Sequence, residues 1–127
     1  MTAKRILIAD DQMVAREELI NLFTKRGYDV ESVDNGVDLL KIATDEMFDL
    51  VITDLIMPGL NGAAATEIMS LLGNTTPVIA LTGLGQQDLG LAQDSFTKIF
   101  HKPINAVELF EYIESLLGNR IEVEGPY

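Results

Sequence analysis

The sequence predicts an α/β domain in which one parallel sheet is covered by helices on both faces. Three observations carry that expectation. Five short strands alternate with five helical stretches, so neighbouring strands are joined by connections long enough for parallel pairing. The strands around Ile6, Val51 and Val78 are apolar throughout, as expected of central strands. Those around Val30 and Ile99 carry polar residues and suit the edges.

Arg5–Ala9 is a continuous apolar run that stops at Asp10-Asp11. From Met13 to Lys25, Ala15, Leu19 and Leu22 recur at helical spacing, with Arg16, Glu17 and Glu18 assigned to solvent, and Gly27 closes the helix. Asp29–Val33 alternates weakly around Glu31, Asn35-Gly36 marks a turn, and Val37–Met47 is helical through Leu39, Leu40 and Ala43. Leu50–Asp54 is a buried strand ending on a carboxylate, and Pro58, Gly59, Asn61 and Gly62 punctuate the loop before a helix over Ala63–Leu72. Gly73-Asn74 breaks that helix ahead of the strand Val78–Thr82. The Gly83–Gly90 stretch is a weak fourth helix, since each interior glycine costs about 1 kcal/mol. Ile99-Phe100 forms a short strand ending at His101-Lys102-Pro103. A last helix over Val107–Leu117 buries Leu109, Phe110, Ile113, Leu116 and Leu117 and is capped by Gly118. With right-handed crossovers, central apolar strands and polar edges are both satisfied by strand order 2-1-3-4-5, the flavodoxin-like doubly wound order. Residues 1–118 are expected to form the domain and 119–127 a C-terminal tail or linker stub.

Composition narrows the function. There are 127 residues, enough for one ordinary core, and no cysteines, which removes disulfide and thiol chemistry. A single histidine, His101, rules out a multi-histidine metal site and receives no catalytic role. The net charge of -11 repels phosphate backbones, so direct nucleic-acid binding is not expected. No apolar run is long enough for a bilayer and no signal-peptide layout precedes Asp10; a cytoplasmic domain is expected. Met13, Met57 and Met69 read as core or rim filler.

In a parallel sheet all strand carboxyl ends share one edge. Asp10, Asp11, Asp54, Thr82 and Lys102 stand at those ends and would converge at the switch point between strands 1 and 3. Neighbouring carboxylates either shift a pKa or hold a cation, and an all-oxygen set suits Mg2+ with a phosphate. Lys102 and Thr82 then match the charge and hydrogen bond that a phosphoryl group needs. Taken singly, each residue has an ordinary explanation: a helix cap for the aspartates, a strand residue for Thr82, a surface lysine for Lys102.

Asp10-Asp11, Asp54 with Met57-Pro58-x-x-Asn61-Gly62, Thr82 and Lys102-Pro103 resemble the receiver domain of two-component response regulators, of the chemotaxis-regulator kind, over Arg5 to Leu117. The resemblance implies a phospho-acceptor. Asp54 takes a phosphoryl group from a sensor histidine kinase or histidine phosphotransfer protein and loses it slowly by self-dephosphorylation. Asp11, Asp54 and the Ile56 carbonyl hold Mg2+, Asp10 orients a metal water, Lys102 contacts the phosphoryl group, and Lys102-Pro103 is cis. It also implies a downstream protein target or fused output domain, reached through the face of strand 4, the following helix and strand 5. A monomer or weak phosphorylation-dependent dimer is expected.

Two departures stand out. Ile99 occupies the place of the usual Tyr or Phe, and Phe100 belongs on the opposite sheet face. Glycines interrupt the segment after Thr82, so phosphorylation is expected to order or shift Gly83–Gln93 instead of swinging a ring; unchanged hydrogen exchange there on binding a phosphoryl mimic would refute this. Ile56 and Leu84, unable to orient water, imply a long-lived adduct that Ile56→Asn with Leu84→Glu would shorten. Two other classes compete. A haloacid-dehalogenase-type phosphohydrolase needs Asp-x-Asp on strand 1, which Asp10-Asp11-Gln12 lacks, and a cap domain. A flavodoxin-like binder without chemistry leaves the converging carboxylates unexplained.

Overall fold

β1 (Arg5–Ala9), β2 (Asp29–Val33), β3 (Leu50–Asp54), β4 (Val78–Thr82) and β5 (Lys98–His101) form one parallel sheet in the order β2-β1-β3-β4-β5. The computed structural model describes residues 3–83 and 94–118. Among them are four long helices, α1 (Met13–Lys25), α2 (Gly36–Asp45), α3 (Gly62–Leu71) and α4 (Ala106–Leu117). The expected fourth helical stretch, beyond Gly83, and the tail 119–127 lie outside the described residues. No helix among those described is long and apolar enough to cross a membrane.

Strand alternation divides the core in two. Leu7, Ala9, Val51, Val78 and Ala80 face Leu39 and Ala43 of α2 and Ala65 and Met69 of α3. Ile6, Ile8, Leu50, Ile52, Ile79 and Leu81 face Phe23 of α1 and Leu109, Phe110 and Ile113 of α4. β3 and β4 are buried along their whole length, whereas β2 and β5 are partly exposed, as their polar residues require. Ile99 and Phe100 do separate: Ile99 packs on the α2–α3 side, and Phe100 on the other, edge-on to Tyr112 at 5.8 Å.

Three details differ from the pattern read in the sequence. Phe23, absent from the helical stripe proposed for α1, is its one buried residue. α2 stops at Asp45, two residues early, which leaves Met47 on the surface. Leu116 is 37% exposed, because Leu109, Ile113 and Leu117 define the stripe facing the sheet and Leu116 lies about 100° from Leu117 around the helix.

Helix starts are unequal. Asn35, Asn61 and Asn105 cap α2, α3 and α4, each side chain accepting from the N–H three residues on, whereas Gln12 makes no side-chain cap to α1. Asn105→Ala is therefore expected to cost about 1 kcal/mol in urea unfolding. Gln12→Ala should be close to neutral by the same measurement.

Candidate functional site

The register of the sheet builds the site. β1 ends beside β3, with Ala9 paired to Thr53, and β3 ends beside β4, with Asp54 paired to Leu81. Asp10 and Asp11 thus follow directly beside Asp54, and the three contribute carboxylate oxygens that all lie within 4.8 Å of one another. Lys102 reaches in from the end of β5, its Nζ 2.9 Å from Asp54 Oδ2. Thr82 ends β4, buried, and its carbonyl accepts the Lys102 N–H at 2.8 Å. The peptide bond Lys102-Pro103 is cis. A cleft of about 420 Å³ opens over this edge, lined by Asp11, Asp54, Ile56, Gly83 and Lys102 among others. The carboxylates of Asp10, Asp11 and Asp54 and the Lys102 ammonium therefore meet at one edge of the sheet, where β4 also ends on Thr82.

Burial divides the acids. Asp10 and Asp54 are 2% and 6% exposed, whereas Asp11 is on the surface. Burial pushes the Asp10 carboxyl above its ordinary value; the Gln12 N–H, donating to Oδ1 at 2.9 Å, opposes this, and the charges of Asp54 and Asp11 add to the rise while Lys102 opposes it. A carboxyl raised in the folded state binds more protons there than when unfolded. It therefore favours folding at low pH, and that contribution is lost as pH rises through the folded value. Asp10→Asn, which keeps an oxygen for the Gln12 N–H, is expected to raise the melting temperature of the Mg2+-free protein at neutral pH. The gain should shrink as pH falls toward the ordinary carboxylate value of 3.8; a gain independent of pH would contradict the assignment.

The loop after β3 is held by close backbone approaches. Thr53 Oγ1 donates to the Asp54 carbonyl at 2.7 Å, and the Gly62 N–H donates to the Leu55 carbonyl at 2.9 Å. A Cβ on Gly62 would collide with the Asp54 carbonyl oxygen and stand 2.8 Å from Thr53 Oγ1. A Cβ on Gly36, at the start of α2, would collide with the Leu60 carbonyl. Both glycines do more than punctuate turns: they let backbone pack where a side chain would not fit. Within the loop the Ile56 N–H points at Asp54 Oδ1, 3.4 Å away, and its side chain is 61% exposed. Leu84 lies outside the described residues.

Chemically the cluster fits Mg2+. Its donors are carboxylate oxygens without nitrogen or sulfur, two of them on buried residues, beside an open cleft with room for water and an anion. A cleft of similar size, about 410 Å³, lies between the C-terminal ends of α2 and α3, and no comparable acidic cluster lines it among the described residues.

One participant was misplaced by the sequence reading. Arg16, assigned to solvent, donates from Nη1 to the Asp10 carbonyl at 2.7 Å. The available signal was its place one turn into α1, close enough to fold back on the preceding loop. The packing roles of Gly36, Gly62 and Thr53 left no comparable mark.

Comparison with known proteins agrees with this geometry. The chain is 31% identical over 119 residues to sporulation initiation phosphotransferase F of Bacillus subtilis, covering 92% of this chain and 96% of that protein. It is 30% identical to the transcription factor SKN7 of Saccharomyces cerevisiae, but spans only 19% of that protein's length. The response regulator TrrA of Thermotoga maritima, solved in complex with Mg2+ and BeF, superposes with a TM-score of 0.81 at 30% identity, covering 89% of this chain and 98% of that one. The receiver domain of a Pseudomonas aeruginosa sensor histidine kinase, solved with a magnesium ion in its active-site cleft, gives 0.81 at 26% identity, over 92% of this chain and 99% of that one. The response regulator receiver domain model matches residues 6–114, and the chain belongs to that family of signalling proteins.

Proposed function

We propose that this receiver domain accepts a phosphoryl group on Asp54 from the phosphohistidine of a sensor histidine kinase or histidine phosphotransfer protein, and alters its protein contacts in response. The observation that carries the reading is the pairing of Asp54 with both partners its chemistry needs. Lys102 Nζ is 2.9 Å from one Asp54 oxygen, and the Asp10 and Asp11 carboxylates stand within 4.8 Å.

An Asp54 oxygen forms the P–O bond as the donor's P–N bond breaks. The electron pair of that bond stays on the imidazole, which leaves neutral because its other nitrogen carries a proton. Lys102 follows the charge from the carboxylate to a phosphoryl oxygen, and Thr82 donates a hydrogen bond to another. Asp11, Asp54 and the Ile56 carbonyl would hold Mg2+, with Asp10 orienting a metal-bound water. Bound Mg2+ supplies positive charge that offsets the phosphoryl and carboxylate oxygens. Ile56, apolar at the cleft, cannot orient or activate an attacking water; self-dephosphorylation is slow on this reading.

Signalling runs through the face of β4, the segment that follows it and β5, toward a downstream protein or an attached output domain, with the domain a monomer or weak phosphorylation-dependent dimer. The absence of cysteines and the kinase partner favour a cytoplasmic setting. Residues 1–118 form the receiver on this reading, and 119–127 are assigned to a C-terminal tail or linker stub.

Intact-mass analysis after acetyl phosphate tests the function. A single phosphoryl adduct that forms with Mg2+ and fails to form with a chelator is the expected result. No adduct with acetyl phosphate, phosphoramidate or carbamoyl phosphate would overturn it.

A further inference from the structure

We propose that Arg16 is a positioning residue for the acidic cluster, its guanidinium locking the Asp10 carbonyl so that the turn between β1 and α1 holds Asp10 and Asp11 in place for the cation. The proposal rests on the reading of that cluster as a Mg2+ site.

Asp10 is tied in three directions. Its N–H donates to the Val33 carbonyl of β2 at 3.1 Å, its Oδ1 accepts the Gln12 N–H at 2.9 Å, and its carbonyl accepts from Arg16 Nη1 at 2.7 Å. The first bond joins the residue to the sheet and the second closes the turn on itself. The third, the shortest and the one with a charged donor, joins it to the helix. Only Asp10, Asp11 and Gln12 separate β1 from α1, so the direction of the two carboxylates depends on how the helix seats against the strand.

A second observation points the same way. α2, α3 and α4 are seated by asparagine caps, whereas α1 has none, since Gln12 makes no side-chain cap. The Arg16 bond reaches from the first turns of α1 back to the residue beside the strand and fixes the join that a cap would otherwise fix. Losing it would strip a charged donor from the carbonyl of a residue only 2% exposed.

The sign of one measurement separates positioning from bare charge. A cation in the first turns of a helix, near a metal site, repels Mg2+; acting by charge alone, Arg16 would weaken binding and its removal would tighten it. As a positioning residue its removal loosens binding, by the tenfold or more typical of partners that orient metal ligands.

Calorimetric Mg2+ titration of the wild type, Arg16→Gln and Arg16→Lys, with amide hydrogen exchange on the Mg2+-free proteins, decides the matter. Arg16→Gln should bind about tenfold more weakly and lose protection at the Asp10 and Gln12 amides while β3 and β4 keep theirs. Arg16→Lys, which retains one charged donor, should recover part of the affinity. Unchanged or tighter binding in Arg16→Gln, a lysine variant no better than the glutamine one, or protection lost equally across β3 and β4 would each overturn the proposal while leaving the Mg2+ site intact. A wild type that binds no Mg2+ would overturn the reading of the cluster and this proposal with it.

Discussion

Asp54→Asn is expected to take up no phosphoryl group from acetyl phosphate, and Lys102→Met to take it up about 100-fold more slowly than the wild type. The asparagine keeps the shape of the aspartate but removes its anionic oxygen, and buried as it is at the end of β3, Asp54 has no neighbour that can replace it on the same strand. Lys102→Met keeps much of the side chain's length and apolar stem and deletes the charge that sits 2.9 Å from Asp54 Oδ2. That charge becomes most valuable when negative charge spreads over the transferring group, so its loss falls on rate. The same cation competes with Mg2+ for the carboxylates, so Lys102→Met should also bind Mg2+ more tightly. Slower uptake with tighter metal binding has no explanation in a damaged fold, which would weaken both. Stopped-flow or quenched uptake measured alongside calorimetry checks the pair, and weaker Mg2+ binding in Lys102→Met would contradict the role assigned to it.

Gly36→Ala and Gly62→Ala are each expected to lower stability by about 3 kcal/mol, a fall of roughly 10 °C in melting temperature. At an open helical position the same change stabilises by up to about 1 kcal/mol, because alanine is the better helix former. Here the added methyl meets backbone: the Leu60 carbonyl from Gly36, and the Asp54 carbonyl with Thr53 Oγ1 from Gly62. Backbone oxygens at the ends of β3 and of its loop cannot swing aside as a flexible side chain would. Both variants must displace the loop that carries Ile56 and Met57, the Gly62 variant most directly, because it pushes on the carbonyl of Asp54 itself. Thermal unfolding of each beside the wild type measures the cost. A melting temperature equal to or above the wild type's would show that the loop yields freely.

Much of this site was legible because a parallel sheet collects every strand's carboxyl end on one edge. Asp10-Asp11, Asp54, Thr82 and Lys102 each follow or end an apolar run, and locating those runs was enough to predict their convergence. The division between central and edge strands was equally readable, since Glu31 has no place in a strand covered on both faces and the short run at Ile99 is bounded by polar residues; β5 itself begins one residue earlier, at Lys98. Helix ends were less so. α2 stops at Asp45 though the apolar spacing runs on to Met47, and Leu116 satisfies a helical pattern yet lies off the stripe that meets the sheet.

Arg16 shows where the reading stops. Among Glu17 and Glu18 on a polar helix face it has every mark of a solvated side chain, and its bond is to a main-chain carbonyl, which leaves no trace in residue type. The clash that makes Gly36 necessary likewise involves a carbonyl from a distant loop. By itself, then, the sequence determined the order of elements, the two faces of the core and the identity of the groups at the carboxyl edge, because those follow from local periodicity and from the geometry all parallel sheets share. Only the tertiary structure decided that Lys102 rests on Asp54 Oδ2, that the Arg16 guanidinium donates to the Asp10 carbonyl, and that two glycines admit the loop behind Asp54. Each of those depends on atoms brought together by folding at separations of a few ångströms, a scale at which residue patterns carry no information.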